Sequence, residues 1–92
     1  MDASVRQDGD ALVFGGTLDR AAVARLWPQL QAVPADTARL DLTAVEAVDS
    51  AGLALLVELR ARLPRAAVVG SPPGLSELRA AYRLDEALAF AA

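Results

Sequence analysis

The 92-residue sequence contains no histidine, no cysteine and no lysine. Without histidine there is no imidazole acid–base catalysis, no Ser-His-Asp triad and no histidine metal ligation. Without cysteine there are no disulfides, thiolate nucleophiles or zinc-finger ligands. All nine basic residues are arginine, which also removes Schiff-base chemistry and a P-loop lysine. Isoleucine and asparagine are missing too. Lysine, isoleucine and asparagine share AT-rich codons, so their joint absence points to a GC-rich bacterial genome rather than to function. Long hydrophobic runs are also lacking. The longest, Ala51 to Val57, has seven residues, against the roughly 20 that a membrane-spanning helix needs. The start, Met1-Asp2-Ala3-Ser4-Val5-Arg6-Gln7-Asp8, is polar and acidic, unlike a signal peptide. The expectation is a cytoplasmic protein.

What is present is an aliphatic core. Hydrophobic residues make up 54% of the chain, mean hydropathy is +0.32, and aromatics are only 4%. Twenty-one alanines and fifteen leucines supply most of that share. Such a composition excludes disorder, and the length allows one domain, residues 1–92. The net charge of −3 and pI near 4.7 speak against nucleic acid, whose phosphates demand a basic face.

The pattern predicts the order β-β-α-β-α-β-α with a final helical turn. Asp8-Gly9-Asp10 reads as the turn of a hairpin between a short strand around Val5 and a returning strand, Ala11–Phe14. Gly15-Gly16 is expected to end that strand, and Asp19 to cap the first helix. Val23, Leu26, Leu30 and Val33 form its inward stripe, which Pro28 kinks or cuts short near Trp27. Leu40 and Leu42 alternate with Arg39 and Asp41 as a strand with one buried face. A second helix spans roughly Ala51 to Leu63, with Leu53, Leu56, Val57, Leu59 and Leu63 on one broad arc. Leu55 falls at the edge of that arc beside Arg62, and Arg60 falls inside it without an apolar role. Ala66–Gly70 is strand-like. Ser71-Pro72 has the form of a cap before a third helix carrying Leu75, Leu78 and Tyr82, and a short terminal helix is expected over 85–90. Strands alternating with helices in so small a chain make an α/β domain: a mixed four-stranded sheet with helices packed mainly on one face.

Three constellations bear on function. Val48-Asp49-Ser50-Ala51-Gly52-Leu53 is a strand-to-helix junction whose serine lies in a field of unpaired N–H groups. A phosphate on Ser50 would be favoured by the helix dipole and repelled by Asp49, whereas the plain alternative has Asp49 or Ser50 simply capping the helix. Gly16-Thr17-Leu18-Asp19 is an acidic loop that meets Ser50 if both helices begin at one edge of the sheet. It lacks the nucleophile, oxyanion donors and third ligand that catalysis or metal binding needs, so capping is the better reading. Trp27, the single tryptophan, sits at the margin of an apolar stripe and reads equally as core or as an interface anchor.

Gly16-Thr17-Leu18-Asp19, Leu40-Asp41-Leu42-Thr43 and Val48-Asp49-Ser50-Ala51-Gly52-Leu53, at these intervals, resemble the STAS domain. That is the fold of anti-sigma-factor antagonists and of the cytoplasmic tails of sulfate transporters. The resemblance runs from about Ala11 to Phe90, and its most specific element is the Asp-Ser-x-Gly-Leu junction. It implies a partner-binding surface around the start of the second helix, no enzymatic activity, no cofactor and no metal. Ser50 falls where antagonists carry the serine phosphorylated by their partner kinase, and Asp19 matches a nearby loop aspartate.

Gly16 to Asp19, Leu26-Trp27 and the Val48–Leu56 run look most like one branch of the family. Its members are small subunits of ABC systems that move phospholipids between the two membranes of Gram-negative bacteria. That branch implies an ATPase subunit as partner and, through it, a permease, at the inner membrane without insertion. The expected partner-binding residues are Trp27, Ser50, Ala51, Leu53 and Leu55, supported by Asp19, Asp49 and Gly52. They are expected to cluster as one patch at one edge. Ala51 stands where the branch has glycine, Thr17 where it has glutamate and Ser50 where it has threonine. The retained hydroxyl keeps the antagonist role open as a second function.

Overall fold

Two-residue alternation builds the centre of the sheet. In the computed structural model, which describes residues 3–84, strand β1 (Ser4–Asp8) turns back into β2 (Ala11–Leu18). Gly9, at φ 59°, takes the first position of a two-residue turn, where a glycine with positive φ suits the twist of the strands. Helix α1 (Arg20–Leu26) follows, then β3 (Arg39–Val48), α2 (Ser50–Arg62), β4 (Ala67–Val69) and α3 (Leu75–Ala81). The terminal helix expected over 85–90 lies outside the described residues.

The strands lie in the order β1-β2-β3-β4, with β1–β2 antiparallel and both β2–β3 and β3–β4 parallel. Two successive βαβ crossovers of the usual hand put α1 and α2 on the same face of a sheet. Burial agrees. Leu12, Phe14 and Leu18 of β2 and Leu40, Leu42 and Val48 of β3 are buried under the helices, while Val13 and Thr17 on the opposite face are only half-buried. The mixed four-stranded sheet read from the sequence is the fold observed.

Several local expectations hold for identifiable reasons. Asp19 caps α1, its Oδ1 accepting from the Ala22 N–H at 2.9 Å. Pro28 cannot continue the ladder, so α1 ends at Leu26 and a 3-10 turn, Trp27–Leu30, takes over. Arg60, within the buried arc of α2, is half-buried and donates from its Nη1 to the Leu63 carbonyl at 3.2 Å, closing the helix end.

Two expectations need correction. Gly15-Gly16 does not end β2, which continues to Leu18 through register shifts against β3. Gly16, at φ 77°, supplies the backbone conformation that lets the strand bend and carry on. Ser71-Pro72 does not cap α3. The helix begins two residues beyond Pro73, with Gly74 at φ 91° in the capping position. Its start is held back because the Pro73 carbonyl accepts from the Val48 N–H at 3.1 Å, tying the Pro-Pro segment to the end of β3.

Candidate functional site

Leu18 and Val48 are partners in the parallel register, so β2 and β3 end side by side and the helices that follow start on one rim of the sheet. The condition set by the sequence for bringing Asp19 near the α2 start is therefore met. The Asp49 N–H donates to the Leu18 carbonyl at 3.2 Å, crossing directly from one junction to the other. Asp49 is exposed, and its Oδ1 accepts from the Gly52 N–H at 2.9 Å. Of the two capping candidates at this junction, Asp49 is thus the cap, and Ser50 is the first residue of the helix with its side chain exposed. Ala51 is half-buried and Gly52 buried. Among the described residues no group of three or more acidic side chains is placed to hold a metal ion, and none of these helices is long and apolar enough to cross a membrane.

The face that α2 leaves open follows from its angular period. At about 100° per residue, Ser50, Ala54, Val57 and Ala61 share a sector of roughly 60°. Ser50, Ala54 and Ala61 are exposed and Val57 half-buried. On one flank, Arg62 carries its guanidinium over the Trp27 ring, 5.0 Å from the centroid. On the other, a groove of about 270 Å³ opens between Ser50, Leu53, Ala54, Val57 and Glu58 of α2 and Tyr82 and Leu84 beyond α3. The open stripe is narrow, made of small side chains that are apolar beyond Ser50, with Trp27 towards one flank and Tyr82 on the other. Tyr82 is 50% exposed and Trp27 37%.

This geometry revises the expected patch. Leu55 is 3% exposed and belongs to the core. It lies about 20° round the helix from Arg62, on the flank that faces Trp27, so the arc of α2 is widened inward rather than towards a partner. Leu53 is equally buried, though it forms part of the groove floor. Nor do the sites gather at one edge. Trp27 packs beside Arg62 at the far end of α2, and Arg62, twelve positions after Ser50, lies about 18 Å along the helix from it. Trp27 and Ser50 stand at opposite ends of one helix, with Ala54, Val57, Glu58 and Ala61 between them. Ala54, Val57 and Ala61, with Tyr82, escape a reading in which every apolar residue faces the core. The small residues at i, i+4, i+7 and i+11 from Ser50 were the available signal.

A family model described as "Mlab, STAS domain" matches residues 3–89, nearly the whole chain. The chain belongs to the STAS domain family. No curated protein matches it. STAS domains are in general regulatory or adaptor modules rather than enzymes, and the paired junctions at Asp19 and Asp49 belong to the STAS fold seen here. What such a domain offers chemically is a surface. In this STAS domain Trp27, Tyr82 and the small-residue stripe of α2 are distinctive exposed features.

Proposed function

We propose that the chain is a non-enzymatic adaptor of the MlaB type. It binds the ATPase subunit of an ABC phospholipid transporter (MlaF-like) and stabilises or activates it. Through that ATPase it joins a permease (MlaE-like) in a system that maintains outer-membrane lipid asymmetry in a Gram-negative bacterium. The protein then works in the cytoplasm, held at the inner membrane by its complex and not by insertion. The observation that carries the reading is the open α2 stripe from Ser50 to Ala61, flanked by Trp27 and Tyr82, in a chain matched along its length by a model labelled MlaB. Exposed aromatic and arginine side chains bordering a desolvatable apolar strip are the usual anchors of protein interfaces.

Co-expression with the ATPase and permease from the same genome is the direct test. The expected result is a stable complex whose ATP hydrolysis or yield depends on this chain and falls when Ala54 is replaced by arginine. An ATPase that purifies and turns over identically with and without it would defeat the reading.

A second reading draws on Ser50. Its exposed side chain is not the cap of α2, because Asp49 fills that role. An anti-sigma-factor antagonist switched by phosphorylation of Ser50 would use the hydroxyl in this setting. Incubation with a cognate kinase and ATP separates the two. Stoichiometric phosphate on Ser50, absent in Ser50→Ala, favours the antagonist.

A further inference from the structure

Trp27 has a fixed backbone. Its N–H donates to the Val23 carbonyl, its own carbonyl accepts from Gln31 Nε2 at 3.1 Å, and Pro28 limits the next peptide. The indole still has two torsions of its own. Across it lies the Arg62 guanidinium, 5.0 Å from the ring centroid. Arg62 is in turn steadied by Glu58, one turn earlier on α2, whose Oε1 stands 3.5 Å from the Arg62 Nε. The order Glu then Arg at i, i+4 is the favourable one on a helix. Glu58 is also among the residues that line the groove beside α3.

An exposed pair of this kind contributes little to stability, and an exposed cation–π contact little more. Orientation is a different matter. A large aromatic anchor that is already in its bound rotamer loses less side-chain entropy when a partner closes over it. We propose that Arg62 is a positioning residue for binding: clamped by Glu58, it holds the Trp27 indole preformed for insertion into the partner. This deepens, and rests on, the adaptor reading above. Glu58 engages Arg62 only at Nε, and among the described residues no carboxylate is bonded to its two terminal nitrogens. The partner surface that fits is therefore an apolar pocket for the indole with a carboxylate on its border, placed for the outward fork of Arg62.

The single tryptophan makes the test direct, because all indole fluorescence reports Trp27. In the isolated protein, Arg62→Met should lower the time-resolved anisotropy of the indole and raise its iodide quenching, with thermal unfolding unchanged. Arg62→Lys, which keeps a cation over the ring, should lie nearer to wild type. Titrated with the ATPase subunit, Arg62→Met should bind about 3- to 10-fold more weakly, and the wild-type affinity should fall with salt more steeply than that of the variant. Equal anisotropy and quenching in wild type and Arg62→Met would overturn the restraint on the ring. Equal affinities would overturn its role in docking. A wild-type chain that does not bind the ATPase overturns the adaptor reading instead, and the anisotropy still decides whether Arg62 holds the indole.

Discussion

Gly52 stands against the carbonyl of Leu18 so closely that a Cβ at position 52 would lie 2.2 Å from that oxygen. The same carbonyl accepts from the Asp49 N–H, so it cannot turn aside without breaking the bond between the two junctions. The glycine of the Asp-Ser-x-Gly-Leu motif is thus a packing requirement, independent of any partner.

Replacing Gly52 by alanine sets two effects against each other. Helix propensity favours alanine by at most about 1 kcal/mol. Forcing a methyl into a backbone oxygen costs typically 1–3 kcal/mol and sometimes more. The clash wins, and Gly52→Ala should lower the unfolding free energy by about 1–2 kcal/mol. Urea denaturation is the measurement, and a midpoint equal to or above wild type would contradict the prediction.

Leu55 and Ala54 are neighbours in sequence with opposite duties. Leu55→Ala empties a buried site and should cost about 2–5 kcal/mol of stability. Ala54→Arg points into solvent, should leave stability within about 0.5 kcal/mol, and should abolish co-purification with the ATPase. If Leu55→Ala melts like wild type but loses the partner, Leu55 is a contact residue after all and the burial argument fails.

Arg83 occupies the left-handed region at φ 56°. The Leu84 N–H reaches back to the Arg79 carbonyl and the Arg83 N–H to that of Ala80, a helix ending that normally places glycine at this position. A left-handed L-residue is strained by roughly 1–2 kcal/mol, part of which glycine returns through its freer unfolded chain. Arg83→Gly should therefore stabilise by about 0.5–1 kcal/mol, read as a higher melting temperature. A lower one refutes it.

Asp41 carries the pH dependence that the described residues make visible. Its Oδ1 accepts from the Thr43 hydroxyl at 2.6 Å and from the Thr43 N–H at 2.9 Å. Those bonds, aided by Arg39 and Arg6 and opposed by slight desolvation, hold its carboxyl below the ordinary 3.8. A carboxyl depressed on folding stabilises fully above its unfolded value of about 3.9, and that contribution disappears as pH falls through the lower folded value. Asp41→Asn should melt slightly below wild type at pH 7, and the gap should close in acid. Melting curves taken between neutral pH and pH 2 provide the check, and a constant gap would exclude the Asp41 carboxylate as its source.

The order of elements was legible because period-two and period-3.6 patterns survive in an aliphatic sequence. Pro28 and the Asp19 cap fixed the bounds of α1 by local chemistry alone, whereas the choice between Asp49 and Ser50 as the cap of α2 needed the structure. What was not legible depends on contacts distant in sequence. The Pro73–Val48 bond delays α3, the bend at Gly16 prolongs β2, and core packing buries Leu55. The same limit applies to the interaction face. Helical angles show that Leu55 and Ser50 point apart, but only the tertiary packing tells which of the two is left open.

The rim that presents Ser50 has one further consequence. Leu18, Val48, Asp49, Gly52 and Gly74 are interlocked there by backbone bonds and by approaches that admit no side chain. A charge introduced at Ser50 therefore meets a support that has little room to give. Whatever message that position sends would travel as a change in what the surface repels or accepts, while the domain beneath it keeps its shape.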